Sequence, residues 1–250
     1  MSEWREIETS SVNALMRRLR EHLKGIPPLR RETFWPSPFV PSLGGDFDVN
    51  RILIVLDLVH LEPGYVLDYI YLVDHLGGQP FLYAQPVDGT RVTSKGEYSE
   101  RFQVEMPDLL LGAEPTDDDS RPYLDHMAFE KTDLGFLQFA VFCMTARRFQ
   151  LCWHSHYNNR IYILDDEERS ERLRTRKFDL PELSEEELGV LPLLDIRPKI
   201  QTYGESGWVR LFNYEMNRRF SYCTIEVEWP NRLCGITDEI MIESRSEILY

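Results

Sequence analysis

Residues Arg219–Trp229, RFSYCTIEVEW, decide the fold class. Cys223, Ile225, Val227 and Trp229 fall on one side of an extended chain, and Tyr222, Thr224, Glu226 and Glu228 on the other. A two-residue period of this kind is the mark of a half-buried antiparallel strand, with the Cys–Ile–Val–Trp face turned to the core. Neighbouring stretches read the same way. Leu193–Tyr203, Trp208–Glu215 and Glu239–Glu243 complete a second strand-rich series after Pro192. Turn residues separate these stretches without room for crossover helices, which excludes a doubly wound parallel sheet.

The first half carries its own strand series. Arg51–Leu61, RILIVLDLVHL, reads as a strand by its β-branched content, Tyr65–Asp74 as a second and Pro80–Val87 as a third. With turns at Glu62-Pro63-Gly64 and Gly77-Gly78 they form an expected three-stranded antiparallel meander. Tyr65–Asp74 also fits helical spacing through Val66, Ile70 and Val73, which keeps helix as its alternative. Arg101–Met106 reads as a short strand, Glu114–Asp125 as a loop, and Phe149–Tyr157 as a strand.

Two helices stand out. Val12, Leu15, Met16, Leu19 and Leu23 recur at helical spacing behind possible caps at Thr9, Ser10 and Ser11. Leu134–Arg147, behind a Thr132-Asp133 cap, is apolar nearly all round and must be buried if helical, although a strand pair is the alternative. Ser184 with Glu187 forms a capping-box pattern for a third, short helix. The fold class is therefore α+β: predominantly antiparallel β meanders with an N-terminal amphipathic helix and one buried central helix. The 250 residues suit a single domain, with two β-rich halves (1–164 and 183–250) joined by the charged segment 165–182 as the alternative division.

Composition narrows the function classes. A formal net charge of −14 repels phosphate backbones and anionic lipid heads, which disfavours nucleic acid and membrane surfaces and favours a basic protein partner. Cys143, Cys152, Cys223 and Cys234 match no disulfide framework or CxxC pair and are expected to be reduced. MSEWREIETSS has no apolar signal region, and no window approaches the ~18 apolar residues of a membrane span. The expected location is the cytoplasm.

Phosphate-cradling glycine loops, GxSxG and HExxH are all missing from the sequence, and the acidic run Asp117–Asp119 lacks the spacing of a calcium loop. The pattern closest to chemistry is LCWHSHYN at Leu151–Asn158. On a strand His154 and His156 share one side, about 7 Å apart at Cα by the strand rise, and could meet one divalent metal. Asp57, His60, Asp74, His75, Asp125 and His126 are the residues from which further ligands could come. No other cofactor is implied.

Asp57, inside ILIVLDLV, is the carboxylate candidate for acid–base catalysis, because a carboxylate in apolar surroundings must find a partner or take up a proton. Asp68 in YVLDYIY invites the same reasoning. The cations Arg17, Arg18, Arg20, Lys24, Arg30 and Arg31 form a basic patch whose economical role is docking on the chain's own acidic loop Glu114–Asp119. The balance points to a non-enzymatic interaction protein of the bacterial adaptor or inhibitor type acting on a basic partner. The alternative is a small-molecule or metal-dependent enzyme centred on His154 and His156.

Overall fold

The computed structural model describes residues 3–24, 39–41, 48–73, 77–103, 121–146, 152–153, 160–162, 185–215 and 219–243. In chain order its strands are β1 (Arg5–Glu6), β2 (Phe39–Pro41), β3 (Val59–Leu61), β4 (Tyr65–Val73), β5 (Gly77–Pro86) and β6 (Met127–Phe129). They continue with β7 (Cys152–Trp153), β8 (Arg160–Tyr162), β9 (Lys199–Tyr203), β10 (Ser206–Glu215), β11 (Arg219–Glu228) and β12 (Arg232–Glu243). Every pairing is antiparallel. The chain is α+β and mostly β.

The large sheet has the order β1-β9-β10-β11-β12, with β8 added beside the far half of β10. A second sheet runs β2-β4-β5-β7, and β3 with β6 forms a two-stranded ribbon. The helix Asp133–Thr145 lies between the large sheet and the ribbon, touching β9, β10 and β11 on one side and β3 and β6 on the other. Contact on opposite sides explains why it is apolar all round, since residues from Gly135 to Met144 are all buried. Thr132 caps it in extended backbone, its hydroxyl accepting the Gly135 N–H at 3.1 Å, and Asp133 adds a negative charge in the first turn. One core cluster takes in Val12 and Leu19, Ile52, Tyr69, Phe139, Val209 and Ile225.

The helix Thr9–Lys24 buries Val12, Leu15, Met16 and Leu19 along the expected stripe. Tyr65–Val73 is a strand, as its Tyr, Ile and Val content favours, and pairs with β5 along its whole length. Glu185–Val190 forms the short helix expected near Ser184, followed by a 3-10 turn at Leu191–Leu193.

Arg51–Leu61 is not one strand. Arg51–Val55 is a helix, Leu56–Leu58 turns, and only Val59–Leu61 extends. Ile52, Val55 and Leu56 are buried while Ile54 is exposed, so a helical spacing of the core residues overrides β-branched content. Asp48 starts the turn by accepting the Asn50 N–H at 3.0 Å. The expected three-stranded meander is therefore a two-stranded hairpin, because β3 pairs with β6. Gly77 and Gly78 open β5 and pair with Trp153 and Cys152, so they do not form the turn.

Arg101–Phe102 belongs to a helix, Lys95–Phe102, capped by Ser94, whose hydroxyl accepts the Glu97 N–H; residues 104–106 lie outside the described residues. The strand expected from Leu193 begins at Lys199, and the one expected from Glu239 already begins at Arg232. Trp229 is not core: β11 ends at Glu228, and Trp229 is 40% exposed in the following turn, its indole N–H donating to the Phe129 carbonyl at 2.9 Å. Of Phe149–Tyr157 only Cys152–Trp153 is described, and 165–182 and Glu114–Asp119 lie outside the described residues.

Candidate functional site

The two faces of the large sheet differ in chemistry. Val209, Leu211, Cys223, Ile225, Val227 and Ile200 point to the central helix and are buried. Gly207 lets that helix approach: a Cβ there would lie 2.4 Å from the Phe136 ring. Alternation sends Trp208, Arg210, Tyr222, Thr224 and Glu226 to the opposite, outer face. At one end the Leu191–Ile196 segment covers this face, where Leu191 and Ile196 join Phe212, Phe220 and Ile242 in a separate apolar cluster. At the other end Trp208 sits directly between Gln201 of β9 and Glu226 of β11, and these side chains reach solvent. Tyr203, two residues along β9 from Gln201, is 74% exposed.

Charge on this face is organised in pairs. The Arg210 guanidinium stacks on Tyr222 at 4.1 Å from the ring centroid, while a terminal nitrogen meets Glu239 at 2.5 Å. Burial pushes the Tyr222 phenol up, opposed by the Arg210 charge. Arg197 bridges Asp195 at 2.6 Å and Glu6 at 2.7 Å, and Lys199 reaches Asp195 at 2.9 Å. Arg197 above all, with Lys199, holds the Asp195 carboxyl far below the usual carboxylate range. A depressed carboxylate stabilises the fold fully at pH above its unfolded value, near 3.8, and that contribution is lost progressively as pH falls from there through the depressed value of the folded state. Asp195→Asn should therefore cost about 1 kcal/mol at pH 7. In urea unfolding the gap to wild type should narrow steadily as the pH is lowered from 3.8 toward the depressed value of the folded state; a gap that does not narrow over that range would place the effect in packing instead.

The sequence candidates among the described residues do not come together. Asp57, although inside the apolar run ILIVLDLV, is exposed in the turn after the short helix, and its carboxylate accepts the Gln138 amide at 2.9 Å. Gln138, buried on the central helix, also accepts the Leu58 N–H at 2.8 Å, so the pair ties that turn down. Asp68 is buried, held by Arg91 at 2.7 Å and 3.2 Å and by the Gln85 amide at 3.2 Å. This clasp fastens the segment before Lys95–Phe102 onto the β4–β5 hairpin. Nearby, burial pushes the Tyr83 hydroxyl up as it accepts the Val92 N–H.

His126 meets Glu62 at 3.0 Å and stacks on Tyr65 at 3.6 Å between centroids, while His60 and Asp125 are exposed elsewhere. His154, His156, Asp74 and His75 lie outside the described residues, as do Arg30 and Arg31. Among the described residues no three His, Cys, Asp or Glu side chains converge in a metal-binding group. Arg17 and Arg18 are exposed on the N-terminal helix. The outer-face pair Trp208 and Glu226 was not visible as a site, because it depends on strand register, which alternation alone does not fix.

The metal alternative has a direct test. A divalent ion on His154 and His156 requires neutral imidazoles and stabilises the fold by mass action. A chelator is expected to leave the melting temperature unchanged. A stoichiometric metal in untreated protein, lost in the His154→Ala/His156→Ala variant, would move the enzyme alternative to first place.

No family model, curated protein or solved structure matches the chain. No helix among the described residues is long and apolar enough to cross a membrane.

Proposed function

We propose that the chain is a non-enzymatic protein-interaction protein of the adaptor or inhibitor type, acting on a basic partner in the cytoplasm. The observation that carries this reading is the outer face of the large sheet. One face of that sheet is filled by the central helix, yet at the Trp208 end the opposite face presents an aromatic ring, amide and hydroxyl groups and carboxylates to solvent. Rigid strands present such groups at little cost in conformational freedom, and aromatic side chains are enriched where interfaces have their strongest contacts. A net charge of −14 steers cationic partners toward the molecule and keeps its own copies apart.

The test is binding to immobilised protein at graded salt. Partners are expected to be basic proteins, released as ionic strength rises toward about 1 M, where the Debye length falls to about 3 Å. Retention only of acidic proteins or of nucleic acid, or binding indifferent to salt, would sink the reading.

A further inference from the structure

The described structure twice builds one arrangement, a cation held between an aromatic ring and a carboxylate. Arg210 lies over Tyr222, 4.1 Å from the centroid, and meets Glu239 at 2.5 Å. Lys131 lies over Trp229, 5.7 Å from the centroid, and meets Glu205 at 2.5 Å. Both use the ring quadrupole and a full negative charge on the same cation. The ring and the carboxylate recur a third time on the outer face, where Trp208 and Glu226 are directly opposed across β10 and β11. Side chains so paired stand about 5 Å apart at Cβ, close enough for one cation to touch both. Among the described residues no Lys or Arg pairs with either. Arg210, two residues along, is committed to Tyr222 and Glu239, and Arg232 to Glu228 at 3.4 Å.

We infer that Trp208 and Glu226 form a recognition site for a lysine or arginine side chain of a protein partner. The inference rests on the basic-partner reading and locates it. Glu226 neutralises the incoming charge and Trp208 supplies the ring. The alternative occupant, a second copy of this chain, is disfavoured by the shared negative charge, which raises the cost of bringing two copies together.

The probe is the full chain titrated with acetyl-(Gly-Arg)4-amide and acetyl-(Gly-Lys)4-amide, with acetyl-(Gly-Gln)4-amide as the uncharged control. The signal is the indole N–H resonance of Trp208, assigned by its loss in Trp208→Phe. Both cationic peptides should move this resonance saturably and the control should not. Glu226→Gln should weaken binding about tenfold at constant ionic strength, and Trp208→Leu by a similar factor, with unchanged circular dichroism. If the cationic peptides bind but leave the Trp208 resonance and the Glu226→Gln affinity unchanged, this site is refuted and the basic-partner reading survives. If no cationic peptide binds, both fall.

Discussion

Gly135→Ala should destabilise the protein by about 3 kcal/mol or more, because the added methyl has nowhere to go. A Cβ at this position would lie 1.9 Å from the Glu130 carbonyl oxygen and 2.9 Å from its carbon, with the Thr132 hydroxyl at 3.3 Å. Two of the three obstacles are backbone, so no rotamer change clears them. The Gly135 N–H is also the donor to the Thr132 cap, so a shift that relieves the clash loosens the start of the central helix. Beside that start, the Glu130 N–H donates to the Leu58 carbonyl at 2.9 Å, which joins the helix entry to the β3–β6 ribbon. The contrast is Gly96, in the helix Lys95–Phe102, where a Cβ meets nothing within 4 Å. Gly96→Ala should raise stability by about 0.5–1 kcal/mol through lower entropy of the unfolded chain. Urea unfolding of the two variants measures both signs, and a Gly135→Ala loss under about 1 kcal/mol would refute the close approach.

What could be read from the sequence is what period and composition encode. Cys223, Ile225 and Val227 lie on one face because alternation is a local property, and Asp133–Thr145 is buried because an all-round apolar helix has no solvent face to offer. Arg51–Val55 misleads for a local reason as well: Ile52, Ile54 and Val55 favour strand by type, while burial of Ile52, Val55 and Leu56 follows helical spacing over barely one turn. Ser94-Lys95-Gly96-Glu97 carries the S-x-x-E pattern of a helix start, and the helix that it opens takes in Arg101 and Phe102. Trp229 shows how a strand end is misplaced: continuing the alternation one residue too far puts a turn side chain in the core.

The functional face depends on more than period. Trp208 and Glu226 are eighteen positions apart, and only the register of β10 on β11 makes them neighbours. A slip of one residue would send one of them to the opposite face. Asp57 illustrates the converse, since apolar neighbours in sequence do not bury a residue that sits where a helix has ended.

Phe139→Ala should cost about 3–5 kcal/mol, the range for emptying a fully buried aromatic site. Phe139 is 0% exposed and stacks on Phe129 at 4.5 Å between centroids with 19° between the planes. Phe129 in turn meets Phe136 edge-on at 5.0 Å, and the Phe136 ring fills the space above Gly207. A chain of aromatic contacts thus runs from the β3–β6 ribbon through the central helix to β10. Truncating Phe139 leaves Phe129 and the other core residues around a cavity. The same substitution tests how the chain divides. If 1–164 and 183–250 fold as one unit, Phe139→Ala should shift two reporters by the same amount, namely hydrogen exchange of β4 and β5 amides and of β10 and β11 amides. If they are separate units, the β10–β11 amides should keep wild-type protection while those of β4 and β5 lose it. A common shift of about 3 kcal/mol or more in both sets is the expected result, because Phe139 packs on Phe129, from which the aromatic contacts pass through Phe136 to β10.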